Sequence, residues 1–538
     1  HNLTLIAGYN YEAKYYRDLT AANDGLLSED LSDFNLAKGT TNFTLNGGRN
    51  EYAIMGWFYR AAYDYKGKYL AEVNGRYDGT SRFPRGKRYG FFPSFSAAYR
   101  ISEEAFFEPL RKTVDNLKIR LSYGSLGNQQ IGYYDFIQTI TTKGSMGDYS
   151  FDGTILGQHA TVSDPVSGNQ TWEKVISKNL GADLNMFSNR LSLTADFYIR
   201  DTKGILGKGK SLPSIYGANE PQVNSNNLRT KGYELVLGWR DSFKLAGSTF
   251  SYGITGTFSD YTAEYTKCDN PSGLIGGPYV GKKYGEIWGY KVDGLFRNDE
   301  EAAEYASRVD LSKVAAGYYS ATGAYGKGVR GGDIKYLDLD GSGIVDGGKG
   351  TLEDPGDRRV IGNSSPRYQY GLTLNLSWYG FDLSVFMQGI GRLDWYPGAD
   401  NLRFWGPYSR PYATFIPKNF MSQVWSESNP DAYLPRARAY TSLNSTQGTA
   451  YYTNDRYLQN LAYCRLKNLT LGYTIPKRLT SKVGIKECRV YFSGENLATW
   501  SALKNDFLDP EQAAANSDKK SNVYPWCRTY SVGLNLTF

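Results

Sequence analysis

The chain ends in a two-sided ribbon. In its last ten residues, Tyr530, Val532, Leu534, Leu536 and Phe538 fall on one face of an extended strand, while Thr529, Ser531, Gly533, Asn535 and Thr537 fall on the other. A strand of about ten residues with one apolar and one polar face is what a transmembrane barrel uses to cross a bilayer. The pattern recurs along the chain. Tyr368, Tyr370, Leu372, Leu374, Leu376 and Trp378 alternate with Gln369, Gly371, Thr373, Asn375 and Ser377. Leu191, Leu193, Ala195, Phe197 and Ile199 alternate with Ser192, Thr194, Asp196, Tyr198 and Arg200. About fourteen such strands are expected, at 3–16, 53–65, 68–78, 90–102, 116–127, 172–187, 190–203, 228–240, 250–266, 367–378, 381–396, 462–475, 488–500 and 528–538.

A soluble sandwich also alternates, because its outer face is solvated. The connections discriminate better. Tight turns at Lys66-Gly67, Ser188-Asn189 and Tyr379-Gly380, and medium ones near 103–115, 241–249 and 476–487, alternate with mostly longer segments: 17–52, 79–89, 128–171, 204–227, 267–366, 397–461 and 501–527. Short connections on one rim and long ones on the other are the asymmetry of an outer-membrane barrel, with the long loops outside the cell. The longest insertion, 267–366, reads as an extracellular unit with a short capped helix over Asp299–Tyr305.

Composition fits this class and removes others. A chain of 538 residues is too long for one ordinary core. Its mean hydropathy of -0.50 leaves no apolar run long enough for a membrane helix. A barrel keeps this polar average, since every second residue faces water. Forty-six Tyr, 25 Phe and 10 Trp suit strands and interfacial girdles. The net charge of +7 is not gathered into a basic stripe, so no nucleic acid is expected as a partner. Only two histidines occur, His1 and His159, which leaves no histidine triad or zinc cluster, and no enzyme is expected. Cys268, Cys464, Cys488 and Cys527 lack metal spacing; a bridge between Cys464 and Cys488 stays open. The chain opens at His1-Asn2-Leu3 already within a strand pattern, and reads as the later portion of a longer protein or as a processed piece.

Several segments together resemble the SusC/RagA family of TonB-dependent outer-membrane transporters. They are Arg76 to Phe83 (RYDGTSRF), Phe91 to Arg100 (FFPSFSAAYR), Leu121 to Gln129 (LSYGSLGNQ), Arg190 to Tyr198 (RLSLTADFY), Val360 to Pro366 (VIGNSSP), Leu466 to Tyr473 (LKNLTLGY), Ser493 to Leu497 (SGENL) and the terminal Thr529 to Phe538. The resemblance implies a 22-stranded β-barrel in the outer membrane of a Gram-negative, Bacteroidetes-like bacterium. An amino-terminal plug would fill it, a TonB complex would energise it, and a SusD-like surface lipoprotein would deliver oligosaccharide or peptide cargo. The plug and about eight strands have no counterpart in residues 1–538, and eight is the even number that the orientation requires. A passive porin or structural barrel made of these strands alone is the alternative; it needs first and last strands that pair. A third class, an extracellular carbohydrate-binding β protein, would dissolve without detergent.

One loop carries metal chemistry. Asp338, Asp340, Ser342, Ile344 through its carbonyl, and Asp346 follow the first nine positions of a calcium loop, with Gly341 and Gly343 for the sharp turn. Position twelve is Lys349 where a glutamate is expected, so Glu353, Asp354 or Asp357 would have to replace it. SusC-like proteins resemble this stretch, which implies a structural Ca2+; no organic cofactor is expected. The segment Gly204 to Ser211 matches a phosphate-binding loop formally but is followed by Leu212-Pro213 and not by a helix, so it is expected to be a loop. Trp405, Tyr408 and Tyr412 are equally open to sugar stacking and to anchoring a loop.

Overall fold

The computed structural model describes residues 1–538 except 32, 144–149, 152, 153, 156–158, 211, 320–327, 411, 413, 415, 439–442, 444–447, 506 and 514–525. Fourteen antiparallel strands form one sheet in chain order: β1 (Asn2–Ala22), β2 (Thr44–Tyr65), β3 (Tyr69–Thr80), β4 (Tyr89–Arg100), β5 (Val114–Asn128), β6 (Glu173–Met186), β7 (Leu191–Lys208), β8 (Gln222–Leu245), β9 (Ser248–Lys267), β10 (Arg367–Trp378), β11 (Phe381–Arg392), β12 (Tyr463–Thr474), β13 (Glu487–Ser501) and β14 (Thr529–Thr537). Each pairs only with its neighbours in sequence, and β1 and β14 are the two edges of an open sheet.

All fourteen expected strands are present. The differences lie at the strand ends. β1, β2 and β8 run well past the expected 3–16, 53–65 and 228–240. The connection expected near 241–249 shrinks to Ala246-Gly247, whose φ values of 50° and 85° place both residues in the left-handed region. Tyr379 at 49° and Gly380 at 82° make the same kind of two-residue turn. Positive φ at both central positions matches the right-handed twist of the flanking strands. Short or medium connections on one rim alternate with mostly longer ones on the other, the exception being 81–88, which is shorter than the 101–113 connection that follows it.

The two faces differ in chemistry. One carries belts of aromatic rings near each rim. Toward the long-loop rim, Trp57 lies 5.3 Å from Tyr9 and 6.3 Å from Tyr77 between ring centres, and Tyr233 lies 6.3 Å from Phe197 and 6.0 Å from Phe258. Toward the short-turn rim, Tyr69 stacks on Tyr99 at 5.1 Å, and Phe381 meets Tyr473 at 4.5 Å. Between the belts the face is aliphatic: Leu374 sits between Ile254 and Val385, and Leu372 between Gly256 and Met387. No second protein layer covers this row, and Leu372 is 42% exposed. Such a bare apolar surface on a long sheet requires an apolar solvent. The opposite face carries paired charges, among them Arg60 with Glu72, Arg76 with Asp78, and Arg489 with Asp382.

The core of the molecule sits off the sheet, beyond the long-loop rim. The insertion 267–366 and the segment 397–461 interleave there. Phe296, Leu311, Val314, Ile334, Tyr336 and Val345 pack in one cluster with Phe404, Trp405, Trp425, Leu434 and Tyr457. The expected helix forms over Asp299–Ala306, and its Asn298 cap accepts a hydrogen bond of 2.8 Å from the Glu301 N–H. Trp405 is fully buried and its Nε1 donates to the Pro397 carbonyl at 3.2 Å; Tyr408 is buried and donates to the Pro435 carbonyl. These two rings are therefore anchors of the loop domain and offer no face to a sugar. Tyr412 is exposed. Trp405→Ala is expected to cost about 3–5 kcal/mol and to make the loop domain protease-sensitive in limited digestion.

Candidate functional site

The acidic loop lies between the short strands Ile334–Tyr336 and Arg358–Asn363, against the buried core. Gly341 and Gly343, with φ of 75° and 80°, let the chain fold back on itself. The Asp338 carboxylate accepts from the N–H groups of Gly341 at 2.8 Å and Gly343 at 2.9 Å. Asp340 accepts from the Ser342 N–H at 2.9 Å. Val345 is wholly buried and seats the loop.

Asp357 closes the ring. It is buried, and its two carboxylate oxygens accept from the N–H groups of Leu339 at 2.6 Å and Asp346 at 2.9 Å. One side chain thus ties both ends of the nine-residue loop. Of the three acids that could replace the absent glutamate, the fold brings in Asp357. Carboxylate oxygens of Asp338, Asp340 and Asp357 lie within 4.8 Å of one another. Ser342 donates its hydroxyl to the Ile344 carbonyl at 3.0 Å, and Asp346 accepts from the Gly348 N–H at 2.7 Å. Asp346 is not one of the three clustered carboxylates.

Burial pushes the Asp357 carboxyl above its ordinary value, whereas the hydrogen bonds from Ser342 hold Asp340 below its own. Three converging carboxylates and two nearby main-chain or hydroxyl oxygens form a hard-oxygen donor set that fits Ca2+ better than a transition metal. Such an arrangement can bind a cation and stiffen a loop.

The polar face of the sheet is the second feature. Arg120 on β5 reaches across two strands. Its guanidinium donates to Asp183 on β6 at 2.9 and 3.1 Å and to Asp196 on β7 at 3.1 and 3.0 Å. Near the opposite edge, the buried Arg465 on β12 holds Glu511 at 2.7 Å and also pairs with Asp509. Lys467 joins the same Glu511 at 2.7 Å. These ion pairs draw the segment after β13 onto the polar face. Periodicity assigns Arg120, Asp183 and Asp196 to polar positions, but only strand register shows that they meet. Among the described residues none of the four cysteines forms a disulfide, so Cys464 and Cys488 are not bridged. The stretch from Gly204 to Lys208 continues strand β7, with no helix directly after it, and Ser211 lies outside the described residues.

The profile of the TonB dependent receptor-like β-barrel matches residues 1–497. The chain belongs to that TonB-dependent receptor β-barrel family. TonB-dependent receptor P3 of Formosa agariphila is 27% identical over all of this chain and 51% of its own length. TonB-dependent receptor SusC of Bacteroides thetaiotaomicron is 24% identical over 90% of this chain and 44% of its own length. The structure described as the RagAB peptide transporter superposes with a TM-score of 0.74 at 22% identity, over all of this chain and 53% of that one. The chain thus spans about half the length of the curated relatives it matches.

Within a TonB-dependent receptor barrel, which belongs to the outer membrane, the bare apolar face is the lipid face. The charged face lines the interior, and the long-loop rim is extracellular. The family is one of transporters and receptors, not of enzymes. No helix among the described residues is long and apolar enough to cross a membrane.

Proposed function

We propose that this chain is the wall and extracellular loop domain of a SusC-like importer of oligosaccharides or oligopeptides, driven by TonB and working with a SusD-like surface lipoprotein. The observation that carries the reading is the pairing of an ion-paired polar interior with a large, packed loop domain at a single rim. A passive diffusion pore has no use for such a domain. The porin alternative also needs β1 and β14 to pair, and they are opposite edges of the sheet. Cargo would bind between the loop domain and the lipoprotein, then pass the polar face once a plug is displaced.

Calcium belongs to this proposal. Asp338, Asp340 and Asp357, with the Ser342 hydroxyl and Ile344 carbonyl nearby, would hold Ca2+, and Asp346 would join directly or through water. The ion would stiffen the base of the loop domain without taking part in transport chemistry.

Uptake of labelled glycan and peptide libraries in cells with and without the TonB complex tests the driving force. Import that stops on its deletion is the expected result. Import that continues unchanged would make the barrel a passive pore. Affinity purification of the full-length protein is expected to retain a surface lipoprotein, and its absence would remove the partner from the proposal.

A further inference from the structure

On the lipid face, one sector departs from the rest. Outward of the aromatic row Phe197 and Tyr233, the faces of β6, β7 and β8 carry Lys174, Lys178, Lys203 and Lys231, all exposed. Lys178 and Lys231 flank Ile199 across adjacent strands, which puts their backbones about 10 Å apart. Lys174 stands directly opposite Lys203 in the β6 to β7 ladder. Like charges directly opposite one another cost stability, so this pair asks for a counter-charge. The acids on this face are few and shared: Asp201 takes the Arg229 guanidinium at 2.7 and 3.3 Å and also lies in the field of Lys178 and Lys203, Glu264 stands opposite Arg229 on β9, and Asp260 takes Arg367. Among the described residues none of the four lysines on this face forms an ion pair.

A groove of about 670 Å³ runs across the strands here. Lys178 and Lys231 line it on the extracellular side, and Leu180, Phe197 and Tyr233 on the side toward the membrane centre. Leu180 is 49% and Phe197 55% exposed. Cationic groups above an apolar shelf, at the depth where the aromatic belt ends, match an amphiphile with a phosphate head and acyl chains.

We propose that this groove binds a phosphate-bearing lipid of the outer leaflet, with its phosphates on Lys178 and Lys231, and on the Lys174 and Lys203 pair, and its acyl chains against Leu180, Phe197 and Tyr233. The inference rests on the membrane placement of the chain. It is independent of what is transported or what drives transport.

Native mass spectrometry of the full-length, delipidated protein in detergent tests it. The probes are bisphosphorylated lipid A, its dephosphorylated counterpart, and inorganic phosphate as competitor. The bisphosphorylated form is expected to bind about tenfold more tightly. Lys178→Gln with Lys231→Gln should abolish that preference, Lys178→Arg with Lys231→Arg should keep it, and the interior variant Lys118→Gln should not alter it. Should the first pair fail to fold, Lys174→Gln with Lys203→Gln reports instead, with a weakened preference and no loss of thermal stability. Equal binding of the two lipids, a preference that survives the glutamine pairs, or full displacement by millimolar phosphate would each overturn the proposal.

Discussion

Asp357→Ala is expected to unfasten the acidic loop and to abolish calcium-dependent protection of the loop domain. The side chain is buried and accepts backbone N–H groups from both ends of the loop. Removing it strips the partly exposed Leu339 and Asp346 N–H groups of their carboxylate acceptor, at about 0.5–1.5 kcal/mol each. It also removes one of three clustered carboxylates. A ligand that binds only the folded loop stabilises it by about 2.7 kcal/mol at a hundredfold excess over its dissociation constant. Limited proteolysis of the full-length protein, with calcium or with chelator, measures both effects. Asp357→Asn separates them. It keeps the shape and one acceptor, but turns an amide donor toward an N–H group and lowers the site's charge. This variant should fold with moderate loss and show no calcium response. A wild-type protein whose digestion ignores calcium would leave the loop as an Asp/Gly turn without a metal.

The sheet was legible in the sequence because lipid and water read the two faces of every strand differently. Alternation therefore survives wherever a strand crosses the membrane, as in Tyr370, Leu372 and Leu374 against Gly371, Thr373 and Asn375. Outside the membrane that contrast disappears. On β1 the row beyond Tyr11 runs Ala13, Tyr15, Arg17 and Leu19, so the ladder extends to Ala22 where the pattern no longer marks a strand. The loop domain was the least legible part, since its core joins residues far apart in the chain. Nothing local to Trp405 says that it will pack against Tyr457 at 5.0 Å. The acidic loop lies between these cases. Spacing alone identifies Asp338 and Asp340, but the choice of Asp357 over Glu353 and Asp354 depends on how the chain returns from Gly348 to Gly356. The Arg120 network is hidden for a related reason: register, not composition, brings Asp183 and Asp196 to one guanidinium.

Leu374→Arg and Thr373→Arg differ by one residue and are expected to differ sharply in effect. Leu374 lies midway between the aromatic rows that hold Tyr370 and Trp378, between Ile254 and Val385, on the face that no protein layer covers. An arginine at the midplane of a lipid-facing strand costs about 2–4 kcal/mol, falling toward zero at the interfaces. Thr373 points the other way, opposite Thr255 and Phe386, into an interior already lined with guanidinium and carboxylate groups. There an arginine keeps its water and should shift stability by no more than about 0.5 kcal/mol. Urea unfolding of the full-length protein in phospholipid vesicles, followed by the heat-modifiable band shift, reads the difference. Leu376→Arg, one row nearer the short-turn rim, should fall between the two, because depth and not mere facing sets the cost. Equal penalties at 373 and 374 would mean that both faces meet the same medium, and a two-faced wall between lipid and water could not then be the basis of the fold.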